Sequence, residues 1–177
     1  MDPIQTPIPT PSFTTTELRN ALGQFATGVA IVTTWEAGFG GAEGEAGRPV
    51  GLTINSFASV SLDPPLVLWS LDLRSGNLAA FSQDGPHLVH VLGAKQRALA
   101  ERFATRGIDR FAEIDWEPGP GGVPRFAGCA AVFECRPYQQ IDLGDHRLFV
   151  LEVLSCAQSP EPVAPLVFHG GRMHSGV

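Results

Sequence analysis

The sequence predicts a mainly β domain, an antiparallel barrel with short helical decorations, and three observations carry that prediction. About six or seven stretches rich in Val, Ile, Leu and Phe are separated by turn residues at hairpin-like distances. Strands do not alternate regularly with long helices, which argues against a parallel doubly wound sheet. Gly and Pro occupy 20 and 15 of 177 positions and only 17% of residues are charged, which suits a loop-rich globular protein better than a coiled coil or a long disordered chain.

A chain of 177 residues is one domain able to bury a core without metal or disulfide staples. Its 18 acidic and 12 basic side chains give a net charge of −6, which speaks against a non-specific nucleic-acid binder. A local pocket for an anionic cofactor remains compatible with that balance. Three cysteines, Cys129, Cys135 and Cys156, form no CxxC pair and suggest neither a disulfide framework nor a metal site. Their apolar neighbours predict buried, inert thiols, and a reducing cytoplasm is the matching expectation. No apolar run approaches the roughly 18 residues of a membrane span, and the N-terminus lacks the basic-then-apolar pattern of a secretory signal. Pro3, Pro7, Pro9 and Pro11 make residues 1–13 an extended arm ahead of a domain at 14–177.

Along the chain, Thr14 and Glu17 have capping-box spacing. Leu18, Leu22 and Phe25 follow at helical spacing, with Gly28 as the expected stop. Val29 to Trp35 is β-rich. Glu36 to Pro49 reads as a long hairpin loop. Its Gly38, Gly40 and Gly44 do not make a dinucleotide fingerprint, because Glu43, Glu45 and Pro49 stand where an apolar helix must follow. Val50 to Leu62 alternates and is rich in hydroxyls. Leu66 to Leu71 is a nearly continuous apolar run, expected as a strand buried on both faces. Ser75-Gly76-Asn77 starts a short helix with Leu78 and Phe81.

His87 to Leu92 is a further strand. Ala94 to Ala104 is a helix with Leu99 and Phe103 inward and Lys95, Arg97, Glu101 and Arg102 outward. Gly107 to Pro124 is irregular. Arg125 to Arg136 alternates as a half-buried strand, Leu143-Gly144-Asp145 turns, and Leu148 to Ser155 returns. Pro165 to Phe168 is the last strand, before Gly170-Gly171.

The common catalytic signatures are missing: no GxSxG, no HExxH, no GxxxxGK[ST]. His87 and His90, three apart on a strand, point to opposite faces and read as surface or pocket-edge histidines rather than ligands of one metal. The distinctive stretch is Gly51 to Val67. Thr53, Asn55, Ser56, Ser59 and Ser61 offer short, neutral donors that can cradle the polar edge of a planar heterocycle. The same pattern also describes an outward-facing polar strand.

Gly51 to Val67 resembles the signature of the flavin reductase-like family, short-chain NAD(P)H:flavin oxidoreductases with an FMN-binding split barrel. Other segments resemble the family in the same order: Phe25 to Thr34, Ser75 to Phe81, Leu88 to Leu92, Gln96 to Ala104, Gly144-Asp145-His146 and Pro165 to Arg172. His90 stands where the family usually has asparagine, and Met173 where it usually has an aromatic. The resemblance implies a six-stranded antiparallel Greek-key split barrel, a few short flanking helices and a homodimer. It implies FMN or FAD as flavin and NADH or NADPH as donor, with reduced flavin passed by diffusion to a separate monooxygenase. The alternative is a flavin-binding split-barrel module without nicotinamide turnover.

Carried over residue by residue, Thr53, Asn55 and Ser56 would line the flavin ring, and Trp69, Ser70 and Leu71 would form the pocket wall. Ser75 and Asn77 would meet the ribityl-phosphate end. His90, Val91 and Leu92 would contact the flavin, Lys95 would neutralise phosphate, and His146 would lie on the nicotinamide side. Ser75 also reads as an ordinary helix N-cap, and Trp69 as a core residue. Hydride transfer between two stacked rings needs position rather than a protein nucleophile, and neither a metal, a nucleic acid nor a membrane enters the scheme.

Overall fold

The computed structural model describes residues 12–36 and 47–175. The Pro-rich stretch at 1–11 and the Gly/Ala/Glu tract at 37–46 lie outside the described residues.

Helix α1, Thr15–Leu22, starts on the expected cap. The Thr14 Oγ1 accepts from the Glu17 N–H at 3.2 Å, and the Thr14 N–H donates to the Glu17 carboxylate at 2.7 Å. The helix stops at Gly23 rather than Gly28, because the Gly23 N–H already closes the last turn on the Arg19 carbonyl at 2.9 Å. Its apolar side chains do not enter the core. Leu18 and Leu22 are exposed, as is Phe25 beyond the helix end, and no residue of α1 is buried.

The body is an antiparallel sheet of seven strands, one more than the expected six. They are β2 (Ala30–Glu36), β3 (Arg48–Ile54), β4 (Ala58–Leu62), β5 (Pro65–Asp72), β6 (His87–Val91), β9 (Ala131–Leu143) and β10 (His146–Gln158). Their order is β3-β2-β6-β9-β10-β5-β4. A second sheet joins β1 (Thr27–Gly28), β11 (Leu166–His169) and β12 (Arg172–Ser175), and β7 (Glu117–Pro118) pairs with β8 (Pro124–Arg125). Helices α2 (Leu78–Phe81) and α3 (Arg97–Ala104) complete the described elements.

The large sheet coils until its edges meet. Val50 and Ile54 from β3, at one edge, share a core with Val67, Trp69 and Leu71 from β5, near the other. Trp69 stacks on Phe149 at 4.5 Å between centroids and meets Phe81 edge-on at 5.0 Å. A second core covers the outer face of β2 and β6. There Val29, Ile31 and Leu92 pack against Ala100 and Phe103 of α3, Phe126 and Leu166. β2 is therefore buried on both faces, which is why Val29 to Trp35 reads as an unbroken β-rich run.

Several expectations change. The Val50–Leu62 run is two strands, broken at residues 55–57 where the chain crosses from one sheet edge to the other. The Arg125–Arg136 strand begins only at Ala131, because Phe126 and Cys129 turn into the second core. It then runs on to Leu143. Gly170 and Gly171, at φ 57° and 77°, form a two-residue turn into β12 that the sequence did not reveal. Cys156 is exposed, whereas Cys129 and Cys135 are buried; burial pushes the Cys135 thiol up to about 12.

His87 and His90 do face opposite sides of β6, but neither is at the surface; both are fully buried. The His87 ring lies against the carbonyls of Gly85 and Phe81 at 3.1 and 3.3 Å. His90 Nδ1 meets the Ile31 carbonyl at 3.1 Å, and its Nε2 has no partner among the described residues. Burial holds both rings neutral, lowering the His87 pKa and bringing that of His90 to about 4. Below about pH 6.5 the unfolded chain therefore binds more protons than the folded one, so stability rises with pH in that window. The melting temperature is expected to hold above about pH 6.5 and to fall as pH drops toward 4. His90→Asn should show a shallower fall, and thermal melts across that range check it.

Candidate functional site

The hydroxyl-rich segment lies where the sheet edges close, and its alcohols serve the frame. Thr53 Oγ1 donates to the Ala100 carbonyl at 2.7 Å and ties β3 to α3. At Gly51 the two elements approach so closely that a Cβ would lie 2.8 Å from the Phe103 ring, so only glycine fits without displacement. Ser56 Oγ accepts from the Ser70 N–H at 3.1 Å, joining the segment after β3 to β5 across the closure. Asn55, between these anchors, is exposed and lines a cavity of about 490 Å³ with Arg19, Phe25, Thr27, Phe168 and Gly170. The Gly170 N–H donates to the Gly23 carbonyl at 2.8 Å and fixes the α1 end over that cavity.

A second cavity, about 530 Å³, is lined by Ser75, Gly76, Asn77, Arg74, Arg106 and Arg110 with Asp72 and Gly107. Arg74 forks onto the Asp72 carboxylate at 2.7 and 3.0 Å, which holds that carboxyl well below its usual range. Arg110 has no carboxylate partner among the described residues. Its Nη1 donates to the Gly51 carbonyl and its Nε to the Thr105 carbonyl, both at 2.9 Å. Burial, with the Arg106 charge nearby, lowers its pKa. Arg106 forms no ion pair among the described residues. Within a chain of net charge −6, this cavity holds two guanidinium groups that no carboxylate balances.

Pairing of β5 with β10 sets His146 opposite Asp72, which lines that cavity. Its Nδ1 lies 2.7 Å from Asp145 Oδ1. Residues about seventy positions apart thus share one corner: Asp72, Arg74 and Ser75 from one segment, Asp145 and His146 from the other.

The remaining expected site residues are placed differently. Trp69 and Leu71 belong to the inner core and line neither of these two cavities. Ser70 gives its N–H to Ser56. His90 is sealed in the fold. The Val91 carbonyl accepts from Ala130, and Leu92 exchanges both its backbone groups with Val29 and Leu166, so neither backbone is offered to a ligand. Lys95 is exposed on the turn before α3 and lines neither cavity. Ser75 is not the helix N-cap. Asn77 holds that place without a side-chain bond, while Ser75 Oγ accepts from the Asn77 N–H at 3.3 Å. With only four residues in α2, the charge that favours an anion comes from the arginines rather than from a helix end. Arg106 and Arg110 escaped the sequence reading because they lie in an irregular stretch; their only signal there is two basic residues four apart just beyond a helix.

The donor set of the second cavity, two unbalanced guanidinium groups beside a serine hydroxyl, an asparagine amide and a glycine backbone, fits a phosphate ester. Among the described residues no group of three or more His, Cys, Asp and Glu side chains could hold a metal ion, and no helix is long and apolar enough to cross a membrane.

Residues 22–176 match the model of the flavin reductase like domain. The chain is 48% identical over 153 residues to the FMN reductase (NADH) SmoA of Agrobacterium fabrum, covering 86% of this chain and 81% of that one. It is 38% identical over 154 residues to HsaB of Rhodococcus jostii, the reductase subunit of a flavin-dependent monooxygenase, covering 87% and 74%. Three other relatives are longer, and the chain spans 43%, 42% and 58% of their lengths. Among solved structures, the NADH:FAD oxidoreductase SgcE6 of Streptomyces globisporus C-1027, in complex with NAD and FAD fragments, is similar with a TM-score of 0.79 at 35% identity over 90% of both chains.

If Ser56 acts chiefly as a joint, Ser56→Ala leaves the half-buried Ser70 N–H without its acceptor. The unfolding free energy is then expected to drop by about 1–3 kcal/mol, read from urea denaturation at unchanged m-value.

Proposed function

The chain belongs to the flavin reductase like domain family, and from that premise we propose that it is an NADH:flavin oxidoreductase that supplies reduced flavin to a separate monooxygenase. The observation that carries the reading is the cavity with two unbalanced guanidinium groups beside the barrel closure. A phosphate monoester carries close to two negative charges at neutral pH, and Arg106 and Arg110 match that charge. Ser75 and Asn77 add neutral donors at the same wall. Asn55 lies on the other side of the closure segment, and its amide can both donate to and accept from the polar edge of a planar ring.

When bound, the flavin supplies the electron-accepting ring, so no protein nucleophile or strong base is required. The chain's own residues bind and orient. Thr53 and Ser56 hold the closure segment rigid, the arginines anchor the phosphate, and His146, opposite Asp72 in the strand pair, serves the nicotinamide side. Asp145 engages its Nδ1 and leaves Nε2 for the visiting nicotinamide nucleotide. The similarity to the FMN reductase (NADH) SmoA supports NADH as the donor. FMN and FAD both satisfy a phosphate-anchored site. We place the protein in the cytoplasm and take the working form to be a homodimer, a second copy covering apolar side chains such as Leu22, Phe25 and Leu62 that the single chain leaves exposed.

NADH oxidation followed with and without FMN and FAD tests the reading, and flavin-dependent oxidation is expected. Arg106→Gln should raise the KM for FMN about tenfold while leaving kcat near its wild-type value, the pattern of lost uniform binding. Flavin retained through gel filtration without NADH oxidation would mean a binding module instead, and the absence of any flavin binding would sink the proposal.

A further inference from the structure

The loop that carries Arg106 and Arg110 is gathered by a third arginine, which lines neither of the two cavities described above. Arg102, in the last turn of α3, is half-buried and has no carboxylate partner among the described residues. Its Nε donates to the Arg110 carbonyl at 2.8 Å, and its Nη2 donates to the Asp109 and Ala112 carbonyls at 2.9 and 2.6 Å. Three carbonyls of one short loop thus converge on one guanidinium. Phe111 sits among them, packed edge-on to Phe103 at 5.0 Å, so the loop is pinned to α3 from both its polar and its apolar side.

This arrangement solves an electrostatic problem. Arg106 and Arg110 line the same cavity, and like charges at close range separate unless the backbone between them is held. The Arg110 side chain carries that restraint back across the loop, donating to the Thr105 carbonyl at its start as well as to the Gly51 carbonyl. The carbonyls of residues 109, 110 and 112 would otherwise turn toward water and take the loop with them.

We propose that Arg102 is a positioning residue for phosphate recognition, holding residues 109–112 directly, and the start of the loop through the Arg110–Thr105 bond, in the conformation that presents Arg106 and Arg110 to the anion. The planar fork is essential, because one guanidinium spans three acceptors that a lysine ammonium cannot reach together. The identity of the ligand rests on the flavin reading above; the role of Arg102 in anion binding does not.

The test compares FMN with riboflavin, which lacks the phosphate, by titration calorimetry on the wild type, Arg102→Lys, Arg106→Gln and the double variant, with a melting temperature for each. Arg102→Lys is expected to weaken FMN about tenfold and riboflavin by less than about twofold. In the Arg106→Gln background the Arg102→Lys loss should shrink, since the two residues act in one chain of cause. Equal losses for both flavins, no loss for FMN, or losses that simply multiply in the double variant would each overturn the proposal. Should the wild type bind neither flavin, the flavin reading falls first. Inorganic pyrophosphate titrated against the same proteins then decides the role of Arg102, and equal affinity for wild type and Arg102→Lys refutes it.

Discussion

The structure depends on the coiling of one antiparallel sheet until its two edges share a core. β3 and β5 are far apart in strand order, yet Val50 and Ile54 pack with Val67, Trp69 and Leu71. The Trp69–Phe149 stack lies inside that closure. Truncating an aromatic residue in such a core typically removes about 3–5 kcal/mol, a large part of a domain's stability. Without the closure there is no corner at which residues 55–57 cross between edges, and no site.

The closure also explains how the small alcohols are used. A barrel seam leaves backbone groups without a ladder partner, and half-buried groups need one. Ser56 serves the Ser70 N–H, and Thr53 reaches the Ala100 carbonyl. The segment is thereby fixed on both sides while Asn55 stays free between them. Rigid support around a polar group that faces a cavity is what a site working by orientation requires. The charge comes from elsewhere: arginines beyond α3, held by backbone carbonyls and by α3 itself, make a local positive pocket in an acidic chain.

His90 shows the same economy in the second core. Its ring is accommodated by full burial beside Phe126, with one nitrogen on the Ile31 carbonyl. Its distance from solvent explains why a histidine in the middle of a family motif is a packing element here. The two cavities reach the site from β3, the α2 approach and the loop after α3 instead.

Local patterns were legible because they are set by residues close in sequence. The Thr14–Glu17 cap, the apolar run of β5, the Gly144-Asp145 turn and the buried face of α3 follow from spacing alone, since side-chain periodicity and turn chemistry are short-range properties. The family motifs likewise drew attention to the segment that closes the sheet, and Asn55, Ser75 and Asn77 line cavities beside it. What the chain in isolation could not reveal were matters of long-range packing. Whether Leu22 meets a core, whether Trp69 lines a pocket or fills one, and whether His90 sees water depend on partners many residues away. The arginine-lined cavity is the clearest case: Arg106 and Arg110 sit in a stretch without periodicity, and only the packing of its loop on α3 brings them and Ser75 to one cavity, while the β5–β10 register sets His146 opposite Asp72 of the same lining. Sequence determined which segments could form; the coiling of the sheet decided which side chains would meet, because burial and charge depend on neighbours that only the closed barrel supplies.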